Sequence, residues 1–238
     1  MRGLSSLAII PARGGSKRIP HKNVRNFAGK PIIVWSIETA LRSSLFDIVM
    51  VSTDDADIAV LARQHGAQTP FLRSASTSND TATLSDALRE VLLEFGAVGR
   101  QFDTVCCLFA TAPFVTPSAL SLGKKLLDEG DFDVVLPVVE FAYPIWRGLK
   151  RNASGNINLL FPEFESSRSQ DLCSTYHDAG QWIWFRSEPF LKGQPLLGPR
   201  TGSVLISAAS AQDIDTEEDW ELAEMKFGAL ANRSRENP

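Results

Sequence analysis

Four short, mostly apolar runs recur along the chain, at residues 7–10, 47–52, 103–109 and 133–139, with helical patterns between them. A run that is apolar at nearly every position, not at every second one, suits a strand covered on both faces. Pro31 suits a first helical turn, and Ile33, Ile37 and Leu41 share one face after it. The segment Thr53, Asp54 and Asp55 is a plausible cap for a second helix carrying Ile58, Leu61, Ala62 and His65 and ended by Gly66. Asp80 is placed to cap a longer helix with Leu84, Leu88, Val91, Leu92 and Phe95 as its stripe. A further helix is expected at residues 117–128. This alternation predicts an α/β, Rossmann-like fold: a mostly parallel central sheet with helices on both faces.

The pattern breaks at residues 142–177, which are rich in aromatic, Gly, Asn, Ser and Arg residues without a strong period. That stretch is expected to be an insertion of loops and a hairpin within one domain spanning residues 1–238. Strands are expected again at residues 181–185 and 203–207. A last helix is expected at residues 217–230, with Trp220, Ala223, Phe227 and Leu230 on one face. The chain has 238 residues, 44% of them hydrophobic, enough to bury a sizeable core. Its formal charge of -4 is mild and argues against general nucleic-acid binding. Its three cysteines form no disulfide framework, and the adjacent pair, Cys106 and Cys107 in the third apolar run, reads as buried strand thiols of a reducing compartment. No segment approaches the ~20 apolar residues of a membrane span. The first apolar run is too short for a signal peptide, so a cytoplasmic location is expected.

The most informative segment is IPARGGSKRIPHKN, residues 10–23, directly after the first expected strand. In open parallel sheets, ligands bind beyond the carboxyl ends of the strands. Gly14 and Gly15 let backbone approach a ligand and offer N–H donors, while Arg13, Lys17, Arg18 and Lys22 concentrate positive charge. A triphosphate needs both donors and cations. The spacing is neither a Walker P-loop nor G-x-G-x-x-G, which disfavours a dinucleotide oxidoreductase. The competing reading is a solvated basic loop.

Residues 10–23 resemble the N-terminal signature of the CMP-sialic acid synthetase family. Gly29, Lys30 and Pro31 with Ser36 and Ile37, then STDD at 52–55, FLR at 71–73, DTA at 80–82 and TAPF at 111–114 are similar to its later segments. QDIDT at 212–216, with Asp219 and Trp220, resembles its metal segment. The likeness covers residues 7–230. It implies the nucleotide-diphospho-sugar transferase fold, with CMP passing from CTP to the anomeric hydroxyl of an acidic nine-carbon sugar, Mg²⁺ assisting, and a homodimer joined through the insertion. FATAPF at 109–114, EFAYPI at 140–145, RSQDL at 168–172 and YHDAGQ at 176–181 lean toward the pseudaminic-acid branch. Phe109 stands where sialic-acid members carry Gln, and an apolar residue there suits a deoxygenated sugar with a methyl group. CMP activation of N-acetylneuraminic, legionaminic or ketodeoxyoctonic acid is the alternative, and a catalytically inert binding protein of the same fold is another.

The same resemblance implies the roles. Ala12, Arg13, Gly14 and Lys17 hold the phosphates, with Arg13 and Lys22 catalytic. Lys22 stabilises charge at the α-phosphate and Asn23 contacts that region. Arg73 and Ala82 contact cytosine; the competing reading of Arg73 is a surface salt bridge. Asp213 and Asp215, two apart on an extended segment, point to one face roughly 6–7 Å apart along the chain. They suit Mg²⁺ shared with the triphosphate, Asp215 counting as catalytic too. The competing reading makes Asp213 structural and Asp215 the cap of the last helix. Phe109, Thr111, Arg168, Gln170 and Gln181 are expected at the sugar, with Arg168 on its carboxylate, or else exposed in a loop or at a subunit contact.

Overall fold

The computed structural model describes residues 5–16 and 18–236. In chain order the elements are β1 (Ser6–Pro11), β2 (Asn26–Phe27), β3 (Lys30–Pro31), α1 (Ile32–Ser43), β4 (Ile48–Ser52) and α2 (Ala56–Gln64). There follow α3 (Ala75–Ser78), α4 (Leu84–Ala97), β5 (Thr104–Leu108), α5 (Pro117–Glu129) and β6 (Val134–Glu140). The remainder comprises β7 (Leu149–Arg151), β8 (Ile157–Leu159), β9 (Tyr176–Asp178), β10 (Trp182–Arg186), α6 (Ser187–Leu191), β11 (Thr201–Leu205) and α7 (Glu217–Glu236).

The main sheet has seven strands in the order β11-β6-β10-β5-β1-β4, with β9 also paired to β6. β4, β1, β5, β6 and β11 run one way, and β9 and β10 run antiparallel to their neighbours. Alternate side chains of each buried strand enter different layers. Ala8, Ile10, Val49, Val51, Cys106 and Leu108 pack under α1, α2 and α5. Leu7, Ile9, Ile48, Met50, Val105 and Cys107 pack under α4 and α6. Full burial of one such aliphatic side chain contributes about 1.5–3 kcal/mol. Burial pushes the Cys106 and Cys107 thiols up, so both are unionised packing groups. Gly123 lets α5 lie close to the sheet, since a Cβ there would stand 2.4 Å from the Trp182 ring.

α7 covers one end of the molecule. Its Trp220 and Ala223 bury against Phe27, Ile32, Phe114 and Ile214, and Phe227 packs at the same cluster. No described helix is long and apolar enough to cross a membrane.

Several expectations are corrected. Asp80 does not cap α4; Thr83 does, in a reciprocal box with Asp86, whose N–H reaches Thr83 Oγ1 at 3.2 Å. Leu41 is exposed, not part of the buried face of α1. The last strand lies two residues earlier than expected, and α7 runs beyond residue 230. The 142–177 stretch holds the expected hairpin, β7–β8, but its end returns to the main sheet as β9.

Candidate active site

β1 and β4 end side by side, with Pro11 opposite Ser52, and the Ala12 N–H continues the ladder to Ser52 O at 2.9 Å. The chain then leaves the carboxyl edge of the sheet as the cationic turn. Gly14 is required there by packing: a Cβ would lie 2.7 Å from Asp55 Oδ2. Its N–H donates to Asp54 Oδ1 at 3.0 Å, so the β4–α2 corner supports the turn. Asp55 itself caps α2, accepting from Asp57 and Ile58 N–H. Ile19 is buried and anchors the middle of the turn beside Ile214. Asn23 closes it, its Nδ2 donating to Arg13 O at 2.9 Å. Lys17 lies outside the described residues.

The late carboxylates meet this turn. Lys22 Nζ donates to Ile214 O at 2.6 Å and stands 3.4 Å from Asp215 Oδ1. Arg18 Nη2 is 2.9 Å from the same oxygen. Ile214 is fully buried between the two aspartates, so its neighbours are left to the opposite face of the extended segment. Asp215 is not the cap of α7. Thr216 Oγ1 accepts the Asp219 N–H at 3.2 Å, and Asp219 Oδ2 accepts from Thr216 N at 2.8 Å and from Asp215 N at 3.1 Å. Burial alone would raise the Asp219 carboxyl, yet these bonds hold it below the usual range. Partial burial pushes Asp213 above its ordinary value, and the Asp215 charge adds to the shift.

Two cavities flank the Lys22–Asp215 contact. One, of about 480 Å³, is lined by Arg13, Lys22, Asn23 and Arg73 together with Phe109 and Thr111. The other, of about 390 Å³, is lined by His177, Asp178, Asp213, Asp215, Asp219 and Lys226. Cations dominate the first and carboxylates the second. Arg13 additionally pairs with Asp80 at 3.2 Å.

Arg73 is held from β4, its Nε donating to Ser52 Oγ at 3.1 Å and its Nη2 to Ser52 O. Burial lowers its pKa, with the Asp54 and Glu90 charges opposing. Ala82 lines neither cavity, and its N–H is taken by Asn79 Oδ1 at 2.9 Å. Gln181 is buried; its Nε2 donates to Ser210 O at 2.6 Å, and its backbone carbonyl accepts the Phe109 N–H at 2.9 Å. Gln181 therefore braces the strand beside Phe109. Arg168 and Gln170 are exposed in the insertion and line neither cavity of their own chain. Sequence reasoning missed Lys226, for which no motif signals, and gave Asp178 no role although it lies in the quoted 176–181 motif; Arg18 was counted only among the clustered cations. The T-x-x-D spacing of Thr216 and Asp219 was a legible capping-box signal.

An α/β sheet whose first turn gathers cations against a late pair of carboxylates is the arrangement that a nucleotide-transfer class of protein requires. Residues 7–193 match the profile of the Cytidylyltransferase family, and the chain belongs to that family. It is 36% identical to the pseudaminic acid cytidylyltransferase of Campylobacter jejuni over 224 residues, covering 94% of this chain and 97% of that protein. It is 34% identical to the CMP-N,N'-diacetyllegionaminic acid synthase of Legionella pneumophila, covering 92% and 94%. Among solved structures, CMP:2-keto-3-deoxy-manno-octonic acid synthetase complexed with CTP superimposes with a TM-score of 0.68 at 19% identity, covering 95% and 99%. That likeness confirms the α/β fold.

Proposed function

We propose that this protein transfers CMP from CTP to the anomeric hydroxyl of pseudaminic acid, an acidic nine-carbon sugar, releasing pyrophosphate. One contact carries the reading: Lys22 touches Asp215, 193 residues later, so the cation-lined cavity and the carboxylate-lined cavity adjoin at that ion pair. The similarity to pseudaminic acid cytidylyltransferase over nearly both full lengths supports this choice of sugar.

Catalysis here is positioning plus charge stabilisation, with no covalent nucleophile. The 480 Å³ cavity takes the nucleotide. Arg13 and Asn23 line it and hold the triphosphate with Lys17, Gly14 and Ala12, and Arg73 faces cytosine; Ala82, which lines neither cavity, is given no contact. Lys22 holds a positive charge beside the α-phosphate as the sugar oxygen attacks and pyrophosphate departs.

Among the described residues no three His, Cys, Asp or Glu side chains form a self-sufficient metal cluster. Two carboxylates fit Mg²⁺, which completes its shell with water and phosphate oxygens. Asp213 and Asp215 would hold it, and when bound it supplies charge neutralisation for the phosphates. Phe109 and Thr111 border the sugar, and Gln181 shapes that wall through Phe109. Gln170 and Arg168 contact the sugar from the insertion, with Arg168 on the carboxylate. Since Arg168 lines neither cavity of its own chain, that contact is made across a homodimer interface formed by residues 142–177.

The test is the mass of the nucleotide sugar formed from CTP, Mg²⁺ and a panel of nine-carbon acid sugars and ketodeoxyoctonic acid. CMP-pseudaminic acid as the favoured product supports the assignment. Preferential conversion of legionaminic or N-acetylneuraminic acid transfers it to that sugar, and CTP binding without turnover on any acceptor refutes it.

A further inference from the structure

Lys226 lies two helical turns after Asp219 on α7 and touches neither Asp213 nor Asp215. Its ammonium nonetheless has three acceptors: Ala208 O at 3.1 Å, Ala211 O at 2.9 Å and Gln212 Oε1 at 3.0 Å. The other end of the Gln212 amide, Nε2, donates to Asp213 O at 3.0 Å and lies 3.4 Å from Asp219 Oδ1. Asp219 in turn accepts the Asp215 N–H. One face of α7 thus grips the carboxylate segment at both ends. Its lysine holds the carbonyls before Asp213, its aspartate holds the amides from Asp215 onward, and Gln212 joins the two. From the opposite side, Lys22 fixes Ile214 O.

We infer that Lys226, acting through Gln212 with Asp219, is a positioning residue that sets the spacing of the Asp213 and Asp215 carboxylates for a divalent ion. This rests on the assignment of those aspartates as metal ligands. A lysine suits the task because it donates three bonds and accepts none. Groups that orient ligands in this way commonly change metal affinity or activity by about 10–100-fold when replaced.

The experiment compares Lys226→Met, Gln212→Ala, Asp215→Asn and Lys124→Met. Lys124 pairs with Asp128 on α5, away from the cleft, and reports what loss of a bonded lysine does to folding alone. Mn²⁺ binding in the presence of CTP is titrated by electron paramagnetic resonance, CTP binding is measured without divalent ion, and melting is recorded. Lys226→Met is expected to raise the Mn²⁺ concentration needed by about tenfold or more. Metal-free CTP binding should stay within about twofold, and melting should match Lys124→Met. Gln212→Ala should give a smaller shift in the same direction, and it decides the question if Lys226→Met does not fold. Unchanged Mn²⁺ binding in the folded variants while Asp215→Asn weakens it overturns the inference. Unchanged binding in Asp215→Asn as well overturns the metal assignment beneath it.

Discussion

Replacing Lys22 by Met leaves the Ile214 carbonyl and the Asp215 carboxylate facing the cleft without their common donor, although Arg18 still reaches Asp215. If Lys22 stabilises charge that develops at the α-phosphate, its loss lowers kcat by about 10²–10³-fold, the usual effect of removing one preorganised donor. Pyrophosphate release measures this, and a Lys22→Met enzyme with unaltered kcat would remove Lys22 from the chemistry. Asp215→Asn keeps the shape and deletes the charge, so CTP binding should survive while turnover is lost; isothermal titration beside the turnover assay separates the two. Gly14 tests the support beneath them. An added Cβ collides with Asp55, whose carboxylate caps α2. Gly14→Ala should therefore lower stability by about 1–3 kcal/mol through overpacking and a disturbed cap, read from the urea midpoint.

Short elements near the nucleotide cavity depend on side-chain anchors more than on their own propensity. α3 is four small residues, three of them polar, and Glu90 on α4 holds it by accepting the Ser74 N–H at 2.8 Å and the Thr77 hydroxyl. Burial alone would raise the Glu90 carboxyl; bonds from Thr77 and Ser74 and the charge of Arg73 keep it below the usual range. A depressed carboxyl contributes stability that is complete above its unfolded pKa and is lost as pH falls through its folded value. Protection of the Ser74–Ser78 amides against hydrogen exchange should consequently fall below about pH 4. Glu90→Gln should already show the weaker protection at neutral pH, with no further acid step; equal protection in both proteins would separate Glu90 from the fold of α3. α3 was illegible in the sequence for the same reason, because its stability comes from Glu90 on the next helix and not from its own residues. β1, β4, β5 and β6 were legible because strands buried on both faces must be apolar throughout. Asp80 misled because it is as good a capping residue as Thr83. Only Thr83 has an acidic partner three residues on, while Asp80 faces Arg13. The cationic turn was legible as a motif. Its meeting with Asp215 was not, because that depends on how Ile19 and Ile214 pack together under α7.

At the scale of the whole molecule, the sheet and α7 bury their apolar faces, whereas the insertion does not. Tyr143 is 85% exposed, Ile157 59% and Leu149 57%. Leu149 opposes Leu159 and Ile157 opposes Arg151 in the β7–β8 ladder, so Leu149 and Ile157 share one face of the hairpin. Apolar groups gathered on one exposed face mark an interaction surface, and a second copy of the chain meets the proposed need for Arg168 at the sugar. Leu149→Asp with Ile157→Asp should convert a dimer into a monomer by light scattering at micromolar concentration, with CTP binding retained and CMP transfer lost. Complementation then tests whether the subunits share a site. In a two-fold dimer the same patch serves both partners reciprocally. If Arg168 acts on the partner's cleft, an Arg168→Ala subunit paired with a Lys22→Met subunit carries both defects in one site and neither in the other. Mixing the two inactive proteins under exchange should therefore restore activity at about a quarter of all sites, half the dimers being mixed and half of their sites intact. If Arg168 serves its own chain, each site of a mixed dimer keeps one defect and mixing restores nothing. A monomeric wild type would end the proposal before that experiment is needed.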